Sequence, residues 1–360
     1  MKTQMESIIP VPGANSAVFE EQKMNNINAL MKTLGEIKNN SRDIILEQGQ
    51  TEAVLGGSDV MLKVEGNNFK ISRWAWQQIS GKLDVPIKYI EKMKATGHAK
   101  LLAENVNAWL TYEQSDKRLI RTTGQEVRAF LSSRYKVIDN FDVALMTLSE
   151  AKARGAVFDE ATLTDRTLYM RALNLNTEYH IVGDKFYGGV HIRNSDVGAA
   201  SVTISPFLFR IACRNGMLYT KALRQIHLGA DHEIGLLSAE TIEKEAESIF
   251  LKSRDIVRAS LTEGVISEFK TDIEKTLAIK LTDVPGTVAK VVKTYDLPKT
   301  MEESLLKSLL EDPTQTTEQK GSLYGVVNAL TSVAQNVDAD MTYELQKVAG
   351  EIVADAGDFA

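Results

Sequence analysis

The residues best suited to chemistry lie in the stretch KFYGGVHIRNSDVGAASVTISPFLFRIACRNGM, residues 185–217. It places Arg193, Asn194 and Ser195 at one turn, and Arg210, Arg214 and Asn215 where a second strand ends. Lys221 and Arg224 follow shortly after. Arginine offers fixed, forked donors that match phosphate, and asparagine and serine add neutral donors that position a backbone without reading bases. The chemistry implied is the holding of phosphates. A competing use is a turn network in which Asn194 and the pair Asn215-Gly216 satisfy their own backbone.

A second basic stretch, KRLIRTTGQEVRAFLSSRYK at 117–136, carries Lys117, Arg118, Arg121, Arg128, Arg134 and Lys136 against Glu126 alone. It reads as a hairpin turning at Gly124-Gln125, with Arg118 and Arg128 sharing a face and Phe130 and Tyr135 nearby. Cations interleaved with rings suit a single nucleic-acid strand, with Tyr135, Phe186 or Tyr187 as stacking surfaces. The competing reading is a solvated hairpin whose charges guard a sheet edge.

Other chemistries find little support. His227, Asp231, His232 and Glu233 crowd IHLGADHE without the spacing of a rigid ligand pair, so no metal is expected. Cys213, the single cysteine, lies in an apolar strand pattern and reads as a buried thiol. The chain has no GxxxxGK[ST] phosphate loop, no GxGxxG after a strand and no nucleophile elbow around Ser195. A metal-dependent nuclease would rest on Asp184 and Asp196 alone, because the remaining carboxylate pairs follow solvent-facing helical spacing. Neither a catalytic residue nor a cofactor is expected.

The elements that position these residues read as an α+β fold, an antiparallel β-meander core with flanking helices followed by a helical C-terminal region. Residues 1–50 form an arm and a helix at about 21–38, from Met24, Ile27, Leu30, Met31, Leu34 and Ile37. Residues 51–235 form the α+β core, opening with a hairpin of 60–64 and 68–72 around Glu65-Gly66-Asn67. A helix capped by Ser72 and ended by Gly81 precedes one opened by Pro86. That pair has the look of a helix-turn-helix with Lys88, Lys92 and Lys94 on its second helix. Trp74, Trp76 and Trp109 lie in apolar helical patterns and read as core anchors. A helix at 141–155 and a strand at 167–175 lead through a turn at Gly183-Asp184 into the basic stretch, where Gly188-Gly189 marks a bulge or close backbone approach. Residues 236–360 read as successive helices punctuated by Pro285, Pro298 and Pro313.

Charge divides along the chain: residues 231–360 hold 13 basic and 24 acidic residues, against 29 and 24 in residues 1–230. This fits a polyanion-binding body with an acidic appendage, or simply acidic helices that aid solubility. Hydrophobic content of 43% and charged content of 25% are those of a globular chain. No apolar run reaches the about 20 residues of a membrane span. The N-terminal MKTQMESIIPVPG lacks a signal h-region, so the expected location is the cytoplasm, with no membrane partner. The number of strands favours closing sheet edges by self-association, so a homo-oligomer is expected.

Several segments are similar to one known family. RWAWQQISGKLDVPIKYIEKM, LLAENVNAWL, SSRYKVIDNFD, GVHIRNSDVGAASVTISPFLFRIACRNGM and GSLYGVVNALTSVAQ resemble, in the same order, the phage/plasmid-like family labelled "domain of unknown function 932". The likeness lies in an Asn-Ser turn, a later Arg-x-x-Cys-x-Asn-Gly, and a final Gly-x-x-Tyr-x-x-x-Asn-Ala over roughly residues 50–340. The resemblance implies a gene carried by phages or plasmids and no established catalytic residues. The function expected is binding of single-stranded DNA, without ATP, in recombination or replication, through Arg118, Arg121, Arg128, Arg193, Asn194, Arg210 and Arg214. The alternatives are a protein-interaction factor working through its acidic helices, or the metal-dependent nuclease.

Overall fold

The computed structural model describes residues 22–112, 115–212, 214–219, 224–226 and 239–359. Cys213, Lys221 and the cluster His227, Asp231, His232 and Glu233 lie outside them. The architecture is α+β with two antiparallel-rich sheets and a helical C-terminal region. The chain divides into two compact units, whose described residues fall at 33–137 and at 22–32 with 138–359. The division therefore cuts through the expected 51–235 core and joins the C-terminal helices to the second sheet. Helix α1 (Ile27–Asn40) runs from one unit into the other, and the residues before it form a short strand, β1 (Gln22–Met24), where helix was expected.

The first unit has a six-stranded sheet in the order β2-β6-β7-β5-β4-β3. Its strands are β2 (Ser41–Glu47), β3 (Glu52–Gly56), β4 (Asp59–Val64), β5 (Asn67–Ile71), β6 (Lys117–Thr123) and β7 (Glu126–Ser132). The expected β4–β5 hairpin is present, and Glu65 and Gly66 turn with φ of 48° and 81°. This is the primed geometry that matches strand twist. Three helices, α2 (Arg73–Lys82), α3 (Ile87–Ala95) and α4 (Ala99–Tyr112), fill the core. They pack Trp76, Ile79, Ile90, Leu102 and Val106 with Leu62, Val64, Ile120 and Phe130. Ser72 caps α2 by accepting from the Ala75 amide at 3.0 Å. Gly81 does not end that helix: it continues to Lys82, and the left-handed residue of the connection is Asp84, at φ 52°. Pro86 stands at the N-cap of α3, one place earlier than expected. Trp76 is a core anchor, whereas Trp109 is 49% exposed on the outer face of α4.

The second unit holds a seven-stranded sheet. Along it run β1, β8 (Val157–Leu163), β9 (Leu168–Ile181), β10 (Asp184–Asn194), β11 (Val202–Arg210) and β12 (Asn215–Leu218), with β13 (Arg224–Ile226) also on β11. One face carries Phe186, Leu208 and Met217. Against it pack Ile266, Phe269 and Ile273 of α7 (Glu263–Ala278), Val326, Val327 and Leu330 of α11 (Leu323–Val333), and residues of α12 (Ala339–Ala354). Helices α5 (Asn140–Ala153) and α6 (Ala239–Ser260) are joined by Arg258, whose Nε donates to Glu150 at 2.6 Å. The rest are α8 (Val284–Thr294), α9 (Met301–Glu311) and α10 (Thr317–Lys320), with Pro285 in the first turn of α8 and Pro298 and Pro313 between helices.

Both alternatives read into Gly188-Gly189 are realised. The β9–β10 register shifts between Tyr187 and Gly188, and a Cβ on Gly189 would stand 2.4 Å from the Ala172 carbonyl oxygen. Backbone does not yield to such a contact as a side-chain end does, so Gly189→Ala has to push two central strands apart. The expected loss is about 1–3 kcal/mol of stability, read by urea unfolding. An unchanged midpoint would show that the strands part freely.

Candidate functional site

Antiparallel pairing sets residues of neighbouring strands opposite one another on one face. One such row crosses the second unit's sheet as Lys23, Thr162, Tyr169, Arg193 and Thr203, on β1, β8, β9, β10 and β11. Two residues along each strand lies a second row, Glu160, Arg171, His191 and Ser205. The face opposite the main core therefore carries cations and rings where a soluble sheet normally presents a mixed polar surface.

The start of α12 places Ala339 and Tyr343 with Tyr169, Leu173, Phe207 and Leu218 in a small apolar cluster on this face. Tyr343 lies 5.6 Å from Tyr169 and 5.5 Å from His191, ring centre to ring centre. The Arg193 guanidinium sits 4.5 Å above the Tyr343 ring and 5.8 Å from Tyr169, and Arg171 sits 5.2 Å above Phe209. Asp340 tethers the helix to the sheet by accepting from Arg166 and from the Tyr169 hydroxyl. Burial raises the Tyr169 and Tyr343 phenols above their ordinary range, so both remain neutral donors. Burial first, and then the charges of Arg171 and Arg193, push His191 down to about 3, so its ring is neutral at pH 7.

Beside this cluster opens a cavity of about 360 Å³. Its walls include Lys23, Glu160, Tyr169, Arg171, His191 and Arg214, and, from beyond β11, Asn215, Gln335, Thr342, Tyr343 and Gln346. Arg171 is paired with Asp159 and Glu160, whereas Lys23 and Arg214 are exposed. Arg214 is held in the left-handed region at φ 53°, a conformation that costs a non-glycine residue free energy and concentrates at functional sites. The arrangement can neutralise an anion. Among the described residues no three His, Cys, Asp or Glu side chains are grouped as metal ligands.

The residues predicted from sequence divide sharply. Arg193 and Arg214 belong to this site. Tyr187 is half-buried on β10 opposite Phe209, and Tyr135 is half-buried in the first unit. Asn194 is turned inward, donating to the Ile138 carbonyl at 3.0 Å and to Asn140 at 2.8 Å, and Ser195 donates to the Arg166 carbonyl at 2.6 Å. Phe186 is wholly buried in the main core and offers no stacking face. Arg210 is also wholly buried. Its guanidinium donates to Asp184 at 2.9 Å and the Thr314 carbonyl at 3.4 Å, with Asp312 at 3.9 Å. Tyr324 donates to the second Asp184 oxygen at 2.8 Å.

The basic hairpin is likewise turned to internal use. Strands β6 and β7 are central in their sheet, not an edge. Arg121, 2% exposed, donates to both Asp43 oxygens at 3.0 and 2.9 Å. Arg118 is held by Asp116 and Gln48 at 2.8 and 3.2 Å, and Arg128 is buried at the β6–β7 register shift. Charge so deeply placed needs protein partners, and these arginines have them. What sequence reading missed are Lys23, Tyr169, Arg171, His191, Tyr343 and Gln346. Alternation puts Tyr169 with Arg171, and His191 with Arg193, on one side of their own strand, but only the strand register brings the two pairs onto one face.

A mixed sheet-and-helix unit with a cationic, aromatic cavity on its second face thus defines the class of protein. The chain belongs to the family described as Domain of unknown function (DUF932), whose model matches residues 128–349, more than half of it. The segments before residue 128 that resembled the family lie outside that match. No curated protein and no solved structure matches the chain.

Two outcomes are expected. Arg210→Leu leaves the Asp184 carboxylate buried without its cation and costs about 3–5 kcal/mol in urea unfolding; a loss under about 1 kcal/mol would mean the pair is dispensable. His191 takes up a proton on unfolding at any pH between about 3 and its ordinary 6.5, so its burial penalises the fold as pH falls through that window. Comparing pH 7 with pH 5, His191→Phe should therefore lose about 2 kcal/mol less stability than the unaltered protein. Equal losses would place the histidine in water.

Proposed function

We propose that the chain binds single-stranded nucleic acid, DNA in the first instance, without ATP, along the cationic and aromatic face of its second unit. The observation that carries this reading is the cavity in which Lys23, Arg171 and Arg214 meet Tyr169, His191 and Tyr343, with Arg193 stacked beside it. Cations that follow a backbone, set among rings that accept a base's π-face, are the combination by which proteins hold single strands. Lys23 and Arg214 are the phosphate contacts, being exposed cations on the cavity wall. Tyr343, itself buried, supports the Arg193 guanidinium on its ring rather than offering a free face. Arg118, Arg121 and Arg210 have no part in this, because carboxylates already hold them, and Arg128 is buried.

Single-stranded binding of this kind releases counterions, so log affinity should fall linearly with log salt, with a slope of about −0.7 for each phosphate neutralised. A titration with labelled oligonucleotides, with and without Mg²⁺, tests the reading. Lys23→Ala and Arg214→Ala should each flatten the slope by about 0.7 while the DNA stays intact. Absence of binding at low salt sinks the proposal, and slopes unchanged in both variants would move the site elsewhere.

A further inference from the structure

Helix α4 has a side that the core of the first unit does not use. It turns Leu102, Val106 and Leu110 inward and carries Leu101, Ala108, Trp109 and Tyr112 on its outer side. Trp109 is 49% exposed and Tyr112 is 79% exposed, with ring centres 6.2 Å apart and planes crossed at 77°. Tyr89 of α3, 41% exposed, joins them, its hydroxyl accepting from Asn105 Nδ2 at 3.1 Å. Positions 101, 105, 108, 109 and 112 recur at the spacing of one helical face, about 16 Å from end to end. Apolar residues exposed singly are ordinary, but rings grouped along one face mark a contact surface.

Rings alone suit several partners, and the charges beside them choose among these. Helices α3 and α4 carry Lys88, Lys92, Lys94 and Lys100 against Glu91 and Glu104. Lys94 is committed to Asp59 at 3.2 Å and to the Trp76 ring, and Glu91 meets Arg73 at 4.0 Å. Lys88, Lys92 and Lys100 are exposed and join no ion pair among the described residues. Lysine is depleted in protein–protein interfaces. It is what a phosphate backbone needs, and open rings are what successive bases stack on. We propose that the α3–α4 face is a second surface for single-stranded nucleic acid, with Trp109, Tyr112 and Tyr89 taking bases and Lys88, Lys92 and Lys100 the phosphates. It lies on the first unit and stands apart from the cavity reading, which concerns the second. Because every base has a π-face, this surface holds a strand without selecting its sequence. The helix pair α2–α3 then serves by setting its lysines beside the rings of α4, not by placing α3 in a groove.

Trp109 is itself the probe, since a base stacked on an indole quenches its emission. The full chain is titrated with unlabelled dT oligonucleotides of about twelve residues while tryptophan fluorescence is followed. Emission should fall on binding, and Trp109→Phe, which keeps a ring, should remove most of that fall while retaining affinity. Trp109→Ala and Tyr112→Ala should each weaken binding about tenfold. Both residues are exposed, so neither change opens the core. Quenching that persists in Trp109→Phe assigns the signal to another tryptophan and overturns the proposal, as does unchanged affinity in both alanine variants. Quenching by anionic phospholipid vesicles but by no oligonucleotide would make the face a membrane contact and overturn it. A dimer that Trp109→Ala dissociates, with no oligonucleotide bound, would make it a contact between copies and overturn it too. Lys23→Ala and Arg214→Ala probe the cavity alone: unchanged salt slopes with the quenching intact would remove the cavity reading and leave this face standing.

Discussion

The second unit depends on one buried ion pair. Arg210 ends β11 and Asp184 begins β10, and their contact closes the end of the sheet where the helices of the C-terminal region meet it. Tyr324 at the start of α11 satisfies the other Asp184 oxygen, and the Thr314 carbonyl and Asp312 take up the far side of the guanidinium. Asp312 is in turn held low in pKa: burial alone would raise it, but hydrogen bonds from Thr314 and Gln315 and the Arg210 charge outweigh that. Four chain segments are thus tied at one point inside the protein. A hydrophobic replacement could fill the same volume, but it could not specify which segments meet there, which is the best use of a buried polar group.

Alternation along the strands gives the sheet two distinct faces. On one side Phe186, Leu208 and Met217 disappear under α7, α11 and α12, forming the larger apolar core. The other side is covered by the first turns of α12, which bury Tyr169, His191 and Tyr343 and leave Lys23 and Arg214 exposed beside the cavity. The Asp340 contacts to Arg166 and Tyr169 fix where α12 begins, and so fix Tyr343 over the sheet. The cavity is a consequence of how far a helix reaches across a strand pair.

The motifs that mark the family turn out to be chiefly architectural. Arg210 and Tyr324 belong to the buried pair, and Asn194 and Ser195 secure the turn after β10. Asn215, from the same run, stands opposite Arg210 on the next strand and is buried as well. Clustering of arginines in sequence was therefore a poor guide to a binding surface. Arg121 and Arg210 had carboxylates waiting for them in remote segments, at Asp43 and Asp184, and Arg118 is held by the neighbouring Asp116.

Local rules carried much of the fold. The Ser72 cap, the Glu65-Gly66 turn, the Gly188-Gly189 irregularity and the helical texture after residue 237 were all legible, because each arises from residues a few positions apart. The β9–β10 register, which brings Tyr169, Arg171, His191 and Arg193 onto a common face, was not. What the sequence could not state was which face would be buried, whether an arginine would find a carboxylate 26 or 78 positions away, or that β1 would bring Lys23 to the site. It likewise hid the meeting of α12 with β9 and β10, more than 140 residues apart along the chain. Periodicity encodes the direction a side chain takes from its own strand; what it meets there depends on long-range packing, which only the folded chain decides.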